Sequence, residues 1–199
     1  KTRDARVLDL ISSILSDGKS SRLYKKIVDD KKMALQIGAF SNSQEDYGSY
    51  IIYGLPQAPN TAENILAEID AEIVNLQTEL ISEKDLQKLQ NKFENQYVNS
   101  NSTIDGIADN LATYHLLYGD VNLINTEIEI YHSITREEIR NVAKKYLNPN
   151  TLKTERIKIL YEEVGCDVAM LAYHLMVRDS EQLVNMANYE EYKKLYYSK

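Results

Sequence analysis

Leu15-Ser16-Asp17-Gly18-Lys19-Ser20-Ser21-Arg22-Leu23-Tyr24-Lys25-Lys26-Ile27-Val28-Asp29-Asp30-Lys31-Lys32-Met33-Ala34-Leu35-Gln36-Ile37-Gly38-Ala39 is where the hydrophobic period of this chain changes. Before Met33 the apolar residues recur at three and four, the spacing of one helical face. After it Leu35, Ile37 and Ala39 alternate with Gln36 and Gly38, the period of a strand. Asp17-Gly18 divides the helical part, because glycine suits the left-handed residue that ends a helix. Ser20 is then the expected cap of a short second helix with Leu23, Tyr24, Ile27 and Val28 inward.

Working back, Val7, Leu8, Leu10, Ile11, Ile14 and Leu15 form one buried stripe of a first helix. Working forward, Asp46-Tyr47-Gly48 reads as a turn and residues 50–55 as a returning strand, which makes an antiparallel hairpin. Asn60 with Glu63 predicts the cap of a long helix carrying Ile65, Leu66, Ile69, Ile73 and Leu76. Ser82 with Asp85 caps the next, with Leu86, Leu89, Phe93 and Tyr97 inward. Ser102 opens a helix ended by Gly119-Asp120, and residues 122–131 read as another. Thr135 with Glu138 is a capping box before Ile139, Val142 and Ala143, and Asn148-Pro149-Asn150 closes that helix. Residues 156–161 and 168–176 are strand candidates, and 180–197 a tyrosine-rich helix with Tyr189, Tyr192, Tyr196 and Tyr197 at helical spacing. Strands grouped apart from helices predict an α+β fold, an antiparallel sheet with helices packed on one face.

A chain of 199 residues with 43% hydrophobic and 27% charged residues can bury one sizeable core. The net charge of −7, with its basic residues scattered, offers no clustered basic face, so no nucleic-acid partner is expected. The longest apolar run, within residues 168–177 and broken by His174, is too short to cross a bilayer, so no membrane is expected. The one cysteine, Cys166, cannot pair within the chain and leaves cytoplasm and periplasm equally open. Lys1-Thr2-Arg3-Asp4 leads straight into a helix without a signal peptide. A start without Met reads as an excised piece of something longer.

Metal or acid/base chemistry would show first in histidine. His115, His132 and His174 are the three, and none has another three or four residues away. A zinc helix needs two imidazoles one turn apart, as in His-x-x-Glu-His, so packed or surface histidines are the plainer reading. Neighbouring acids such as Asp29-Asp30, Glu83 with Asp85, Glu127 with Glu129, Glu162-Glu163 and Glu190-Glu191 read as solvated helix faces. Cys166 reads as structural, and Gly18 with Ser20-Ser21 lacks the spacing of a phosphate loop. No catalytic, cofactor-binding or metal residue is therefore assigned within the chain.

The segment Leu15 to Val28, with Asp29-Asp30-Lys31-Lys32-Met33-Ala34 after it, resembles the second, inactive-type domain of pitrilysin/insulinase-type zinc metallopeptidases. Leu117-Tyr118-Gly119-Asp120 and the run Ile134-Thr135-Arg136-Glu137-Glu138-Ile139 to Asn148-Pro149 look like that family's late helices. The resemblance covers about residues 4–150 and implies a peptidase-like non-catalytic domain over 1–150. It implies a clamshell that closes around an unfolded peptide, with zinc held by a partner zinc-bearing domain or subunit and none in this chain. The Arg and Tyr with which some members orient substrate fall, by that resemblance, on Val28 and Leu35, so the pair is expected from a partner subunit. Degenerate homologues that act as structural or scaffold subunits are the alternative. Residues 151–199 are expected to complete the same domain, and 166–175 resemble the family's first strand in permuted order. The strand 167–176 is expected to be buried in the main sheet beside the hairpin.

Overall fold

The computed structural model describes residues 2–43 and 47–147, and a strand at 171–178. Helix α1 (Arg3–Ser16) begins at a Thr2 cap, whose hydroxyl accepts from the Ala5 N–H. It buries Val7, Leu8, Leu10, Ile11, Ile14 and Leu15, side chains worth about 1.5–3 kcal/mol each when fully buried. Gly18 turns the chain at φ 83. The following helix starts at Arg22 and widens to π geometry over Tyr24–Asp30. Ser20 therefore does not cap it, and its hydroxyl accepts from the Lys88 ammonium at 2.7 Å. Leu23 and Ile27 are buried as expected, and Tyr24 and Val28 pack against the core.

Strands β1 (Ala34–Ser43) and β2 (Tyr47–Pro56) pair antiparallel, with Gly38 opposite Tyr53 and Phe40 opposite Ile51. Tyr47 and Gly48 belong to β2 rather than to a turn; glycine opposite Ser43 extends the ladder. An irregularity between Ala34 and Gln36 leaves Leu35 unpaired. Strand β3 (Leu171–Arg178) pairs antiparallel with β2, which gives the order β1-β2-β3. The expected strand thus begins at Leu171. Among the described residues it sits at the outer position, not between two strands. Residues 167–170, the candidate strand 156–161, Pro149 and the terminal helix lie outside the described residues.

Helix α2 (Ala62–Thr78) is capped by Thr61 and Asn64, one residue beyond the expected Asn60 and Glu63. Threonine wins because its hydroxyl accepts from Asn64 N–H while the Asn64 side chain returns to the Thr61 N–H. Helix α3 (Glu83–Ser100) starts at Ser82 as expected. Helix α4 (Ile104–Thr113) starts at Thr103, not Ser102, and runs into a π-helical turn, Tyr114–Tyr118, which ends at left-handed Gly119. Helices α5 (Leu123–His132) and α6 (Arg136–Tyr146) follow, the latter from the expected Thr135–Glu138 box. The helices cover one face of the sheet: Ala34, Ile37, Ala39, Tyr50 and Ile52 join α1, α2, α3 and α6 side chains in one core.

Candidate functional site

Among the described residues no helix covers the other face of the β1–β2 hairpin, and alternation decides what stands there. Gln36 and Phe40 of β1 are exposed, while Ile51, Tyr53 and Leu55 of β2 are half-buried. Leu35, set out by the irregularity beside it, is 61% exposed, and Phe40 is 44% exposed. The Tyr53 ring lies across Gly38, where a Cβ would come within 2.4 Å of the ring. A side chain at residue 38 would have to push the Tyr53 ring aside, so glycine lets the ring lie flat on the strand. The Gln36 side-chain amide donates to the Tyr53 hydroxyl at 3.2 Å. Phe40 meets the Tyr53 ring edge-on at 6.3 Å. The result is a flat apolar and aromatic surface with two polar handles, suited to contact with extended, apolar-rich chain.

The edge of this sheet is closed by a side chain. Ser16, the last residue of α1, accepts from the Ala39 N–H at 2.6 Å and donates to the Ala39 carbonyl at 3.0 Å. One hydroxyl satisfies both groups that a further strand would use at that residue.

The residues singled out in the sequence do not converge. Val28 packs into the core and Leu35 stands on the open face. His115 is exposed on the π-helical turn. His132, the last residue of α5, lies 3.2 Å from Glu94, both well exposed. His174 is in β3, opposite Ile51 in register. Cys166 lies outside the described residues. Asp29 and Asp30 are exposed, and Glu83 pairs with Arg136 at 2.7 Å. Among the described residues no group of three or more His, Cys, Asp or Glu is arranged to hold a metal ion. The loop after Gly18 borders a cavity of about 120 Å³ against α3. Its lysines are engaged there, Lys88 with Ser20 and Lys92 with Asp17 at 2.6 Å.

Glu127 departs from the expected solvated face. It is buried and takes a two-pronged ion pair from Arg6, at 2.9 and 2.7 Å. Burial opposes the Arg6 charge, and the Glu127 carboxylate outweighs it, holding the guanidinium above its ordinary value. Nearby, the buried Tyr131 hydroxyl donates to Asp9 at 2.8 Å. Burial first, then the Asp9 charge, hold that phenol well above its ordinary value. Phe93 stacks on Tyr131 at 3.5 Å, and Tyr97 stacks on Phe93. The sequence signal for the pair was Arg6, a cation beside the apolar stripe of α1.

Residues 1–93 match the family described as the peptidase M16 inactive domain. The zinc protease PqqE of Helicobacter pylori is 28% identical over 160 residues, 79% of this chain and 35% of that protein. The structure of a protease from Helicobacter pylori superposes with a TM-score of 0.69 at 23% identity, covering 74% of this chain and 36% of that one. A peptidase M16 inactive domain from Pseudomonas fluorescens gives 0.64 at 15% identity, over 73% of this chain and 34% of that one. The chain spans about a third of the length of the curated relatives it matches. The inactive-type resemblance read from residues 15–34 agrees with these matches.

Proposed function

We propose, from the match of residues 1–93 to the peptidase M16 inactive domain, that this chain forms one wall of a peptide-enclosing chamber. Hydrolysis inside it is performed by a partner zinc-bearing domain. The observation that carries this reading is the open sheet face, where Leu35, Phe40 and Tyr53 stand uncovered by the helical layer. An unfolded peptide offers the apolar side chains that such a face takes up. The aliphatic Val28 and Leu35 cannot hydrogen-bond a substrate carbonyl, so orientation of the scissile bond falls to groups from the partner. Zinc in that partner supplies an activated water, and this chain supplies confinement and positioning.

The test is reconstitution. The zinc-bearing domain is assayed on an unfolded peptide with and without the 199-residue chain. Addition of the chain is expected to raise kcat/KM. Leu35→Asp with Phe40→Asp is expected to remove about tenfold or more of that gain, since positioning contributes several kcal/mol in general. No stimulation by a folded chain would leave the scaffold reading instead.

A further inference from the structure

Helix α4 and its π-helical turn are covered little by the rest of the described structure, Tyr114 being the one buried residue of the two. No residue of α4 is buried. Six of the ten exposed large hydrophobic side chains among the described residues are Val98, Ile104, Ile107, Leu116, Leu117 and Val121. Ile104 is 86% exposed and Leu116 76%. Isolated exposed leucines need no explanation, but this many within residues 98–121 make the segment a candidate contact surface. The helix is nonetheless well anchored. Gly106 lets its backbone close on Ser100, where a Cβ would meet the carbonyl oxygen at 2.0 Å. Asn110 donates to Asn101 at 3.0 Å, and Tyr114 bonds Tyr97 at 3.1 Å. It is a fixed ridge with apolar residues on more than one side.

Charge selects the occupant. From residue 93 to residue 135 the chain has no Lys or Arg, while Glu94, Asp105, Asp109, Asp120, Glu127 and Glu129 fall within it. Glu127 is consumed by Arg6 and Glu94 lies 3.2 Å from His132, while Asp105 and Asp109 are on α4 itself, Asp120 follows the π-helical turn and Glu129 is on α5. Two copies meeting through this surface would set acid against acid. A groove with an apolar floor and a Lys/Arg rim would fit it. The relatives carry about twice as much further chain as the part matched here, enough to provide such a groove.

We infer that the ridge of α4 and residues 114–118 is the docking surface for the zinc-bearing domain, received in an apolar groove rimmed by basic residues. The inference rests on the chamber reading above and adds the place where the two parts meet.

The full 199-residue chain is titrated with the separately purified zinc-bearing domain by calorimetry. Ile104→Ser with Leu116→Ser is expected to weaken association about tenfold or more, as loss of central apolar anchors does. Asp105→Lys with Asp109→Lys is expected to weaken it and to flatten its salt dependence. Val74→Ser, at an exposed site on α2, is the control and is expected to change nothing. Thermal melts check that each variant is folded. In the unaltered chain, amide exchange of residues 104–118 is expected to slow about tenfold on adding the zinc domain. Association that persists within about twofold in the folded ridge variants, with unchanged exchange, overturns the ridge and leaves the chamber reading standing. A self-dimer abolished by Leu116→Ser overturns it in favour of a second copy. No association of any kind overturns both.

Discussion

Lys32 holds a left-handed backbone, φ 50, at the turn between the π-helical segment and β1. A side chain there costs about 1–2 kcal/mol against glycine's freedom. Lys32→Gly is therefore expected to stabilise the chain by about 0.5–1 kcal/mol, the gain being trimmed by glycine's larger unfolded-state entropy, and denaturant unfolding measures it. Ser16 is the opposite case, a small residue with two obligations. Ser16→Ala strands both the N–H and the C=O of Ala39. A loss of about 1–3 kcal/mol is expected, with faster exchange of the Ala39 amide than of its neighbours. Neither residue could be read from sequence alone. Lys32 lies in a lysine-rich turn without a glycine, and Ser16 is one of three serines, with Ser12 and Ser13, in the last turns of a regular helical pattern. Gly38 is legible only as a weak point in a strand; that it makes room for the Tyr53 ring appears once cross-strand partners are known.

Helix α1 is fastened to its neighbours by charge at one end and by a buried pair in its first turns. Arg3 forks onto Glu138 of the α6 capping box, and Asp4 takes Lys145 and the Tyr146 hydroxyl, each at 2.7 Å. The Arg3 hydrogen bond holds Glu138 below its ordinary 4.5 despite partial burial. Burial pushes Asp4 up, and Lys145 and Tyr146 outweigh it, leaving it below its ordinary 3.8. A depressed carboxylate stabilises the fold above its ordinary value and loses that contribution as pH falls through the lowered one. The melting temperature is thus expected to drop as pH is taken from about 5 to about 2, with part of the drop removed by Arg3→Ala combined with Asp4→Asn. The pairs are largely exposed, so the effect is modest. Glu127→Ala is a harsher test: it leaves Arg6 charged and buried, and about 3–5 kcal/mol of stability should go. Element existence was legible because apolar periodicity and Thr135–Glu138 are local signals. The caps fall at Thr61 and Thr103, one residue beyond Asn60 and Ser102, since these neighbours are equally competent acceptors until backbone geometry chooses. The π widening of residues 24–30 has no sequence period of its own, and the fate of Glu127 depended on a partner 121 positions away.

At the scale of the whole molecule, one layer of helices on a sheet leaves a face free among the described residues, and the face of Leu35, Phe40 and Tyr53 is foreshadowed only by the strand alternation. That no catalytic constellation was assigned followed from histidine spacing; the open face and the α4 ridge needed burial to be seen. Val28→Arg with Leu35→Tyr is expected to give no peptide turnover in this chain alone, because positioning multiplies a chemical step that must already exist. Turnover by the purified, folded double variant in a fluorogenic peptide assay would contradict the division of labour proposed between this chain and its partner. The ridge has a further consequence, for digestion. An endopeptidase that cuts after Lys or Arg finds no bond to attack from residue 93 to residue 135, the stretch that contains the most exposed helix described in this protein. Trypsin should release residues 93–136 as a single fragment after Lys92 and Arg136, however far α4 opens. A protease that cuts after large apolar residues meets Ile104 and Leu116 first, so the same surface is shielded from one class of enzyme and offered to another.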